Sequence, residues 1–142
     1  IGVTVCSEWL KFSSVREWWL ENYVDGWELD KDLLLHGSKH YSKESCIYVP
    51  KWLNCFVNTR DAARGGLPIG VSYEKSTCKF RASCRDTLNG TSRYLGLFDS
   101  PEAAHEAWLN HKLELAEQLK QDMDAIDQRI YHNVVKIIRA AE

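Results

Sequence analysis

What the chain has least of sets the first limits. No apolar run in its 142 residues approaches the roughly 20 consecutive positions a membrane-spanning helix needs, so a membrane partner is not expected. The five cysteines, Cys6, Cys46, Cys55, Cys78 and Cys84, are odd in number and include no C-x-x-C pair. That pattern argues against a disulfide framework and against a paired-thiolate zinc module. With no secretory leader recognisable from Ile1 onward, reduced and mostly buried thiols of a cytosolic protein are expected. An excess of one charge is missing too: 18 Lys and Arg stand against 20 Asp and Glu, a net of −2. Any surface for nucleic acid therefore has to be a local patch.

What is present is the composition of a globular protein, 44% hydrophobic, in a length that suits one ordinary domain or two small ones sharing a core. After Val3-Thr4-Val5-Cys6, the stretch Val15-Arg16-Glu17-Trp18-Trp19-Leu20 reads as helix, and Tyr23-Val24-Asp25-Gly26 ends it, Asp-Gly being a turn signal. From Trp27 to Leu35 the apolar residues Trp27, Leu29, Leu33 and Leu35 keep the alternation of a half-buried strand, interrupted at Lys31. Beyond the loop His36–His40, Cys46-Ile47-Tyr48-Val49 predicts a second strand, and Pro50 suits the first turn of a helix running from Lys51 to about Asn58. Gly65-Gly66-Leu67-Pro68 is the one glycine-rich joint, and the boundary between two units is placed there.

The second unit is the more sharply patterned. Three strands are predicted, Gly70–Glu74, Lys79–Arg85 and Ser92–Phe98, with turns at 75–78 and at Leu88-Asn89-Gly90. Side chains alternate across a sheet, so Phe80, Ala82 and Cys84 face one way while Lys79, Arg81, Ser83 and Arg85 face the other, a core face and a cationic face. Ser100-Pro101-Glu102 starts a helix with a capping serine, proline at its first position and an acidic residue in its first turn. Ala104, Trp108 and Leu115, with Ala107 and Lys112 between them, form a stripe to lie on the Phe80/Cys84 face. Ile126, Ile130, Val134, Val135, Ile137 and Ile138 predict a last helix between Met123 and Ala141 that docks back on the protein.

Pro68-Ile69-Gly70-Val71, then Lys79-Phe80-Arg81-Ala82, then Tyr94-Leu95-Gly96-Leu97-Phe98-Asp99-Ser100-Pro101-Glu102-Ala103-Ala104 closely resembles the Apetala-type domain of plant ethylene-response factors and its phage relatives. The resemblance covers about fifty residues in order and spacing. It implies a sheet laid in the DNA major groove, which is wide enough to admit β-structure. Carried over by position, the DNA-contacting candidates are Ser72, Glu74, Lys79, Arg81, Ser83, Arg85, Ser92, Arg93 and Tyr94. Ser72 and Glu74 stand where the plant domains usually carry arginines, so the plant sequence preference does not transfer.

The first unit resembles the phage HNH endonuclease family. The residues that carry this are Val5-Cys6 with Trp9 and Phe12, Leu29-Asp30-Lys31-Asp32, the run Tyr41-Ser42-Lys43-Glu44-Ser45-Cys46-Ile47-Tyr48-Val49, and Asn54. The resemblance implies Mg²⁺ or Mn²⁺ on the scissile phosphate, with Asp30 and Asn54 as its protein ligands and Ser45 bracing the loop at the place of the family's middle asparagine. Active members carry histidine where this chain has Lys31, and a charged lysine is a poor proton acceptor. His36 and His40 in the loop are then the residues that could substitute as base, His40 being the one chosen, and Asp32 is a nearby carboxylate, a second ligand on strand alternation. The spacing of His36 and His40 in a loop does not predict zinc, nor do the unpaired Cys6 and Cys46.

The expected architecture is thus α+β: an HNH-like ββα unit with a preceding helix at 1–64, a three-stranded antiparallel sheet packed on a helix at 65–120, and a C-terminal helix at 121–142. The expected function is binding of double-stranded DNA with metal-dependent cleavage or nicking, in the cytoplasm of a phage-infected bacterium. The alternative is a non-catalytic DNA-binding or inhibitory protein on the same scaffold, acting on DNA or on a host protein.

Overall fold

The structure is a computed structural model that describes residues 2–58 and 65–141. The joint expected at 64–65 touches positions 59–64, which lie outside the described residues, as does residue 142. The chain is α+β, with a three-stranded antiparallel sheet. Among the described residues no helix is long and apolar enough to cross a membrane.

Strand β1 (Thr4–Val5) leads through a 3-10 turn, Ser7–Leu10, into helix α1 (Phe12–Asn22). Strands β2 (Trp27–Asp30), β3 (His40–Tyr41) and β4 (Ile47–Pro50) follow, then helix α2 (Lys51–Val57). β2 pairs antiparallel with β4, and α2 packs on both, while the two-residue β1 runs parallel to β3. The strand expected to reach Leu35 stops at Asp30. There the Asp30 carboxylate accepts the backbone N–H of Asp32 at 2.9 Å and of Leu33 at 2.7 Å, folding the chain into a turn that sends both Leu33 and Leu34 inward. Two successive buried side chains cannot belong to a half-buried strand. Pro50, expected in the first turn of α2, sits one step earlier at its N-cap position with extended backbone.

Strands β5 (Val71–Glu74), β6 (Lys79–Arg85) and β7 (Ser92–Phe98) form the sheet in that order, β6 central. Helix α3 (Pro101–Gln118) begins as its residues dictate, Ser100 Oγ accepting the Ala103 N–H at 3.2 Å with Pro101 at the first helical position. The stripe it buries is Ala104, Trp108, Lys112 and Ala116, a spacing of four; Leu115, expected in that stripe, is only half-buried. Gly70 enters β5 at φ +80°, and an added Cβ would stand 2.2 Å from the Trp108 ring. The Trp108 ring is stacked on His105, whose Nδ1 lies 2.9 Å from the Ile69 carbonyl oxygen, so strand entry and helix face lock together at this point.

The helical C-terminal segment comes in two pieces, α4 (Lys120–Ile126) and α5 (Gln128–Ala140). Asp127 between them is extended, φ −161°, and caps α5 by accepting the Arg129 N–H. Ile130, Val134 and Ile138 of α5 share one core with Met123, Leu119, Leu33, Leu34, Val49, Leu53 and Phe56. Each such side chain contributes roughly 1.5–3 kcal/mol when fully buried. Tyr131 of α5 donates to Glu117 of α3, and Asn133 Nδ2 donates to the Leu34 carbonyl at 3.2 Å, so α5 ties β2's outgoing turn to α3.

The cysteines are free thiols. Only Cys46 and Cys84 are buried, and burial pushes both thiols up, away from the reactive thiolate; Cys55 and Cys78 are exposed, which corrects the expectation of mostly buried sulfur.

Candidate nucleic-acid interface

The cationic face arises from alternation along β6. Phe80, Ala82 and Cys84 are covered by α3, whereas Lys79, Arg81 and Arg85 are exposed. Directly paired residues share a side of the sheet, so the register Ser72↔Arg81 and Glu74↔Lys79 brings Ser72 and Glu74 of β5 onto this outward face. On β7 a bulge decides the matter: pairing passes from Ala82↔Gly96 to Ser83↔Tyr94, leaving Leu95 as the extra residue. Tyr94 therefore joins Ser83 on the outward face, and Ser92 joins Arg85. Arg93, expected on the same face, is instead opposite Cys84 and so lies on the helix-bearing side, exposed at the end of the sheet.

The outward face is ordered as well as charged. The Arg81 guanidinium lies over the Tyr94 ring at 5.1 Å, a cation–π contact that ties the two side chains together on this face. Tyr94 itself is 53% exposed and offers both a ring edge and a hydroxyl. Lys79 bridges to Asp99 at 3.2 Å, and Glu74 accepts a hydrogen bond from Ser76, so the acidic residue among these candidates already has a local partner. Three cations, two of them arginines able to grip phosphate or a guanine edge bidentately, thus share one surface with a single carboxylate of the three strands.

The residues proposed for catalysis are distributed differently. Asp30, Asp32, His36 and Asn58 line one cleft of about 260 Å³ beside Leu33 and Ile137. Asn54 does not line it: its side-chain amide donates to Glu28, and its carbonyl oxygen accepts from Asn58 at 3.3 Å. His40 sits on β3 with Nδ1 2.9 Å from the Thr4 hydroxyl, outside the cleft. Lys31 donates to the Asp32 carboxylate at 2.6 Å and to the Ser38 carbonyl at 3.0 Å, and the hydrogen bond to Asp32 raises its pKa, so it stays a cation. Asp32 meets Asp30 through its backbone N–H, not through the strand alternation expected of it. Ser45 is buried and donates to the His40 carbonyl at 2.7 Å while accepting the Ser42 N–H at 3.0 Å, closing the loop between β3 and β4.

The two residues that the HNH resemblance implies as metal ligands already have protein partners. Among the described residues no three His, Cys, Asp or Glu side chains gather as ligands. Of the two ligands that the HNH resemblance implies, Asp30 commits Oδ1 to two backbone N–H groups and Asn54 commits both ends of its amide to Glu28 and Asn58. Asp30 has a structural duty in its place. Asp30→Ala removes the one oxygen that accepts both N–H groups and is expected to destabilise the fold by about 1–3 kcal/mol, whereas Asp30→Asn keeps an oxygen for the turn and should cost less than half of that. Urea unfolding of the two variants measures the difference.

Sequence reasoning missed Asn58 and did not choose correctly between two loop histidines. Asn58, one helical turn beyond Asn54, is the amide that reaches the cleft, and the i, i+4 spacing was the available signal. His36, not His40, is the cleft histidine. Lys112 was placed in the apolar stripe of α3 by its spacing, but a functional use for it was not read from the sequence; it is 7% exposed, and burial lowers its pKa.

Comparison with protein families, curated proteins and solved structures returned no match.

Proposed function

We propose that this chain binds double-stranded DNA through the outward face of β5–β7, with Arg81 and Arg85 as its main contacts and Lys79, Ser72, Ser83 and Tyr94 around them. The observation that carries this is one exposed sheet face holding three cations and an aromatic ring, with the opposite face buried against α3. A β-face of this size suits the major groove, and the Apetala-type resemblance points to the same surface. Glu74 sets a preference as well as a penalty: a carboxylate on a DNA-facing strand accepts from cytosine N4 and repels a phosphate.

The decisive experiment is equilibrium binding of a labelled duplex over a range of salt. The three cations of this face on phosphates contribute about −3 to the slope of log K against log salt, so a slope at least that steep is expected. Absence of binding, or affinity indifferent to salt, overturns the reading.

Binding without cleavage is the form of the proposal that the site favours, because Lys31 stands at the base position and the expected ligands are engaged elsewhere. Supercoiled DNA is therefore expected to remain intact with Mg²⁺ or Mn²⁺ at protein concentrations that shift it on a gel. The hydrolytic reading has one observation in its favour, the meeting of Asp30, Asp32, His36 and Asn58 at one cleft. Metal-dependent nicks abolished by EDTA and by Asp30→Asn would establish it.

A further inference from the structure

Lys112 lies at a place where the two halves of the molecule meet. Its side chain crosses the Phe56 ring of α2, the ammonium 3.7 Å from the ring centre, and it lines a groove of about 270 Å³. Ser83, Arg85 and Ser92 from the end of the sheet, Thr87 from the loop after β6, and Asn58 after α2 share that groove. A second hollow adjoins it and shares Asn58, Arg85 and Thr87.

The groove carries two cationic side chains and, among the described residues, no carboxylate in its lining. Among the described residues neither Lys112 nor Arg85 forms an ion pair, and none of the residues lining the groove is acidic. Asp86 is near enough to favour the charged lysine, but its carboxylate is turned into its own loop, accepting from Leu88 N–H, Asn89 N–H and the Asn89 amide. The Thr87 hydroxyl is buried and has no hydrogen-bond partner among the described residues. A buried ammonium held only by an aromatic ring, an arginine beside it and an unused hydroxyl are the donor set of an anion site, and tetrahedral phosphate matches such convergent donors.

We infer that the groove between α2, α3 and the open end of β6 is a phosphate-binding site, with Lys112 and Arg85 as its cations. The source of the phosphate is the backbone of a DNA strand on the outward face, a clause that rests on the proposed function. Ser83, Arg85 and Ser92 belong both to that face and to the groove. β5 covers β6 only as far as Ala82, so a strand crossing the sheet meets no further β-strand on that side beyond this point. A free phosphate compound shares the chemistry and is separated by the test.

The test uses the full chain, the Lys112→Met variant and two probes, a short duplex and inorganic phosphate. Lys112→Met keeps the length and apolar contacts of the side chain, so its melting temperature should equal or exceed that of the native chain. It should bind duplex about tenfold more weakly, with a salt slope shallower by about 1. In the native chain, phosphate should shift the ¹³Cε resonance of Lys112. A duplex affinity lowered in this way assigns the groove to the DNA backbone. Unchanged duplex affinity with a phosphate-dependent Lys112 shift assigns it to a free phosphate group and leaves the sheet-face reading standing. No duplex binding by the native chain removes the DNA reading, and the Lys112 resonance then decides the groove by itself. A folded Lys112→Met protein with native duplex affinity, together with a Lys112 resonance indifferent to phosphate, overturns the inference.

Discussion

Gly70→Ala is expected to lower the melting temperature by about 10 °C, the largest loss expected at any of the glycines. Two costs coincide there. The backbone stands at φ +80°, where an L side chain is strained by about 1–3 kcal/mol. The new Cβ also meets the Trp108 ring at 2.2 Å, and overpacking of this kind costs about 1–3 kcal/mol more. Trp108 cannot easily withdraw, because its ring is stacked on His105, which is itself anchored on the Ile69 carbonyl. Gly26→Ala provides the control: its φ is +76° but nothing lies within 4 Å of the added carbon, so only the same backbone cost of about 1–3 kcal/mol applies. Thermal unfolding of the two variants separates conformational strain from collision. Equal shifts would show that Trp108 moves aside freely.

The Gly70 substitution bears on function as well as on stability. The Gly70 carbonyl accepts the Ser83 N–H at 2.9 Å, where β5 gives way and the outward face runs into the groove. Displacing Gly70 therefore disturbs Ser83 and the strand that carries Arg81 and Arg85.

The second large effect is on affinity. Replacing Arg81 and Arg85 together by alanine is expected to weaken duplex binding about 100-fold or more, since each arginine contact to phosphate or base contributes about 1–3 kcal/mol and each 1.4 kcal/mol is tenfold. The slope of log K against log salt should become shallower by about 2, one cation released per arginine. Both side chains are exposed, and Arg81 contributes only a ring contact with Tyr94 to the fold, so the melting temperature should move little. Arg93→Ala, on the other side of the sheet, should change affinity much less. An equal loss from Arg93→Ala would show that net charge, not the outward face, governs binding.

The parts of the fold written in local pattern were legible in the sequence. β6 announces itself by strict alternation and α3 by Ser100-Pro101-Glu102, because alternation and capping are decided by neighbouring residues. β2 was read too long because Leu29, Leu33 and Leu35 keep an even spacing by coincidence, and the Asp30 turn that interrupts them depends on one side chain reaching its own backbone. The β1–β3 pair is two residues long on each side and parallel, which no local signal encodes; it exists because the chain between is folded around other contacts.

The site was legible to the same depth. Lys79, Arg81, Ser83 and Arg85 follow from alternation alone. The side taken by Arg93 and Tyr94 follows from a bulge at Leu95, and a one-residue slip reverses every side chain after it. The choice of Asn58 over Asn54, and of His36 over His40, required the three-dimensional path of the turn after β2 and the direction of α2. Burial of Lys112 required knowing that the Phe56 ring lies beneath it.

Duplex DNA seated on the outward face of β5–β7 should shift the backbone amides of that face when a short duplex is added to the native chain. The changes are expected to concentrate at 72–74, 79–85 and 92–94, with the cleft around Asp30 and helix α1 unaffected. Shifts centred on α1 or on Asp30, with the three strands silent, would contradict it.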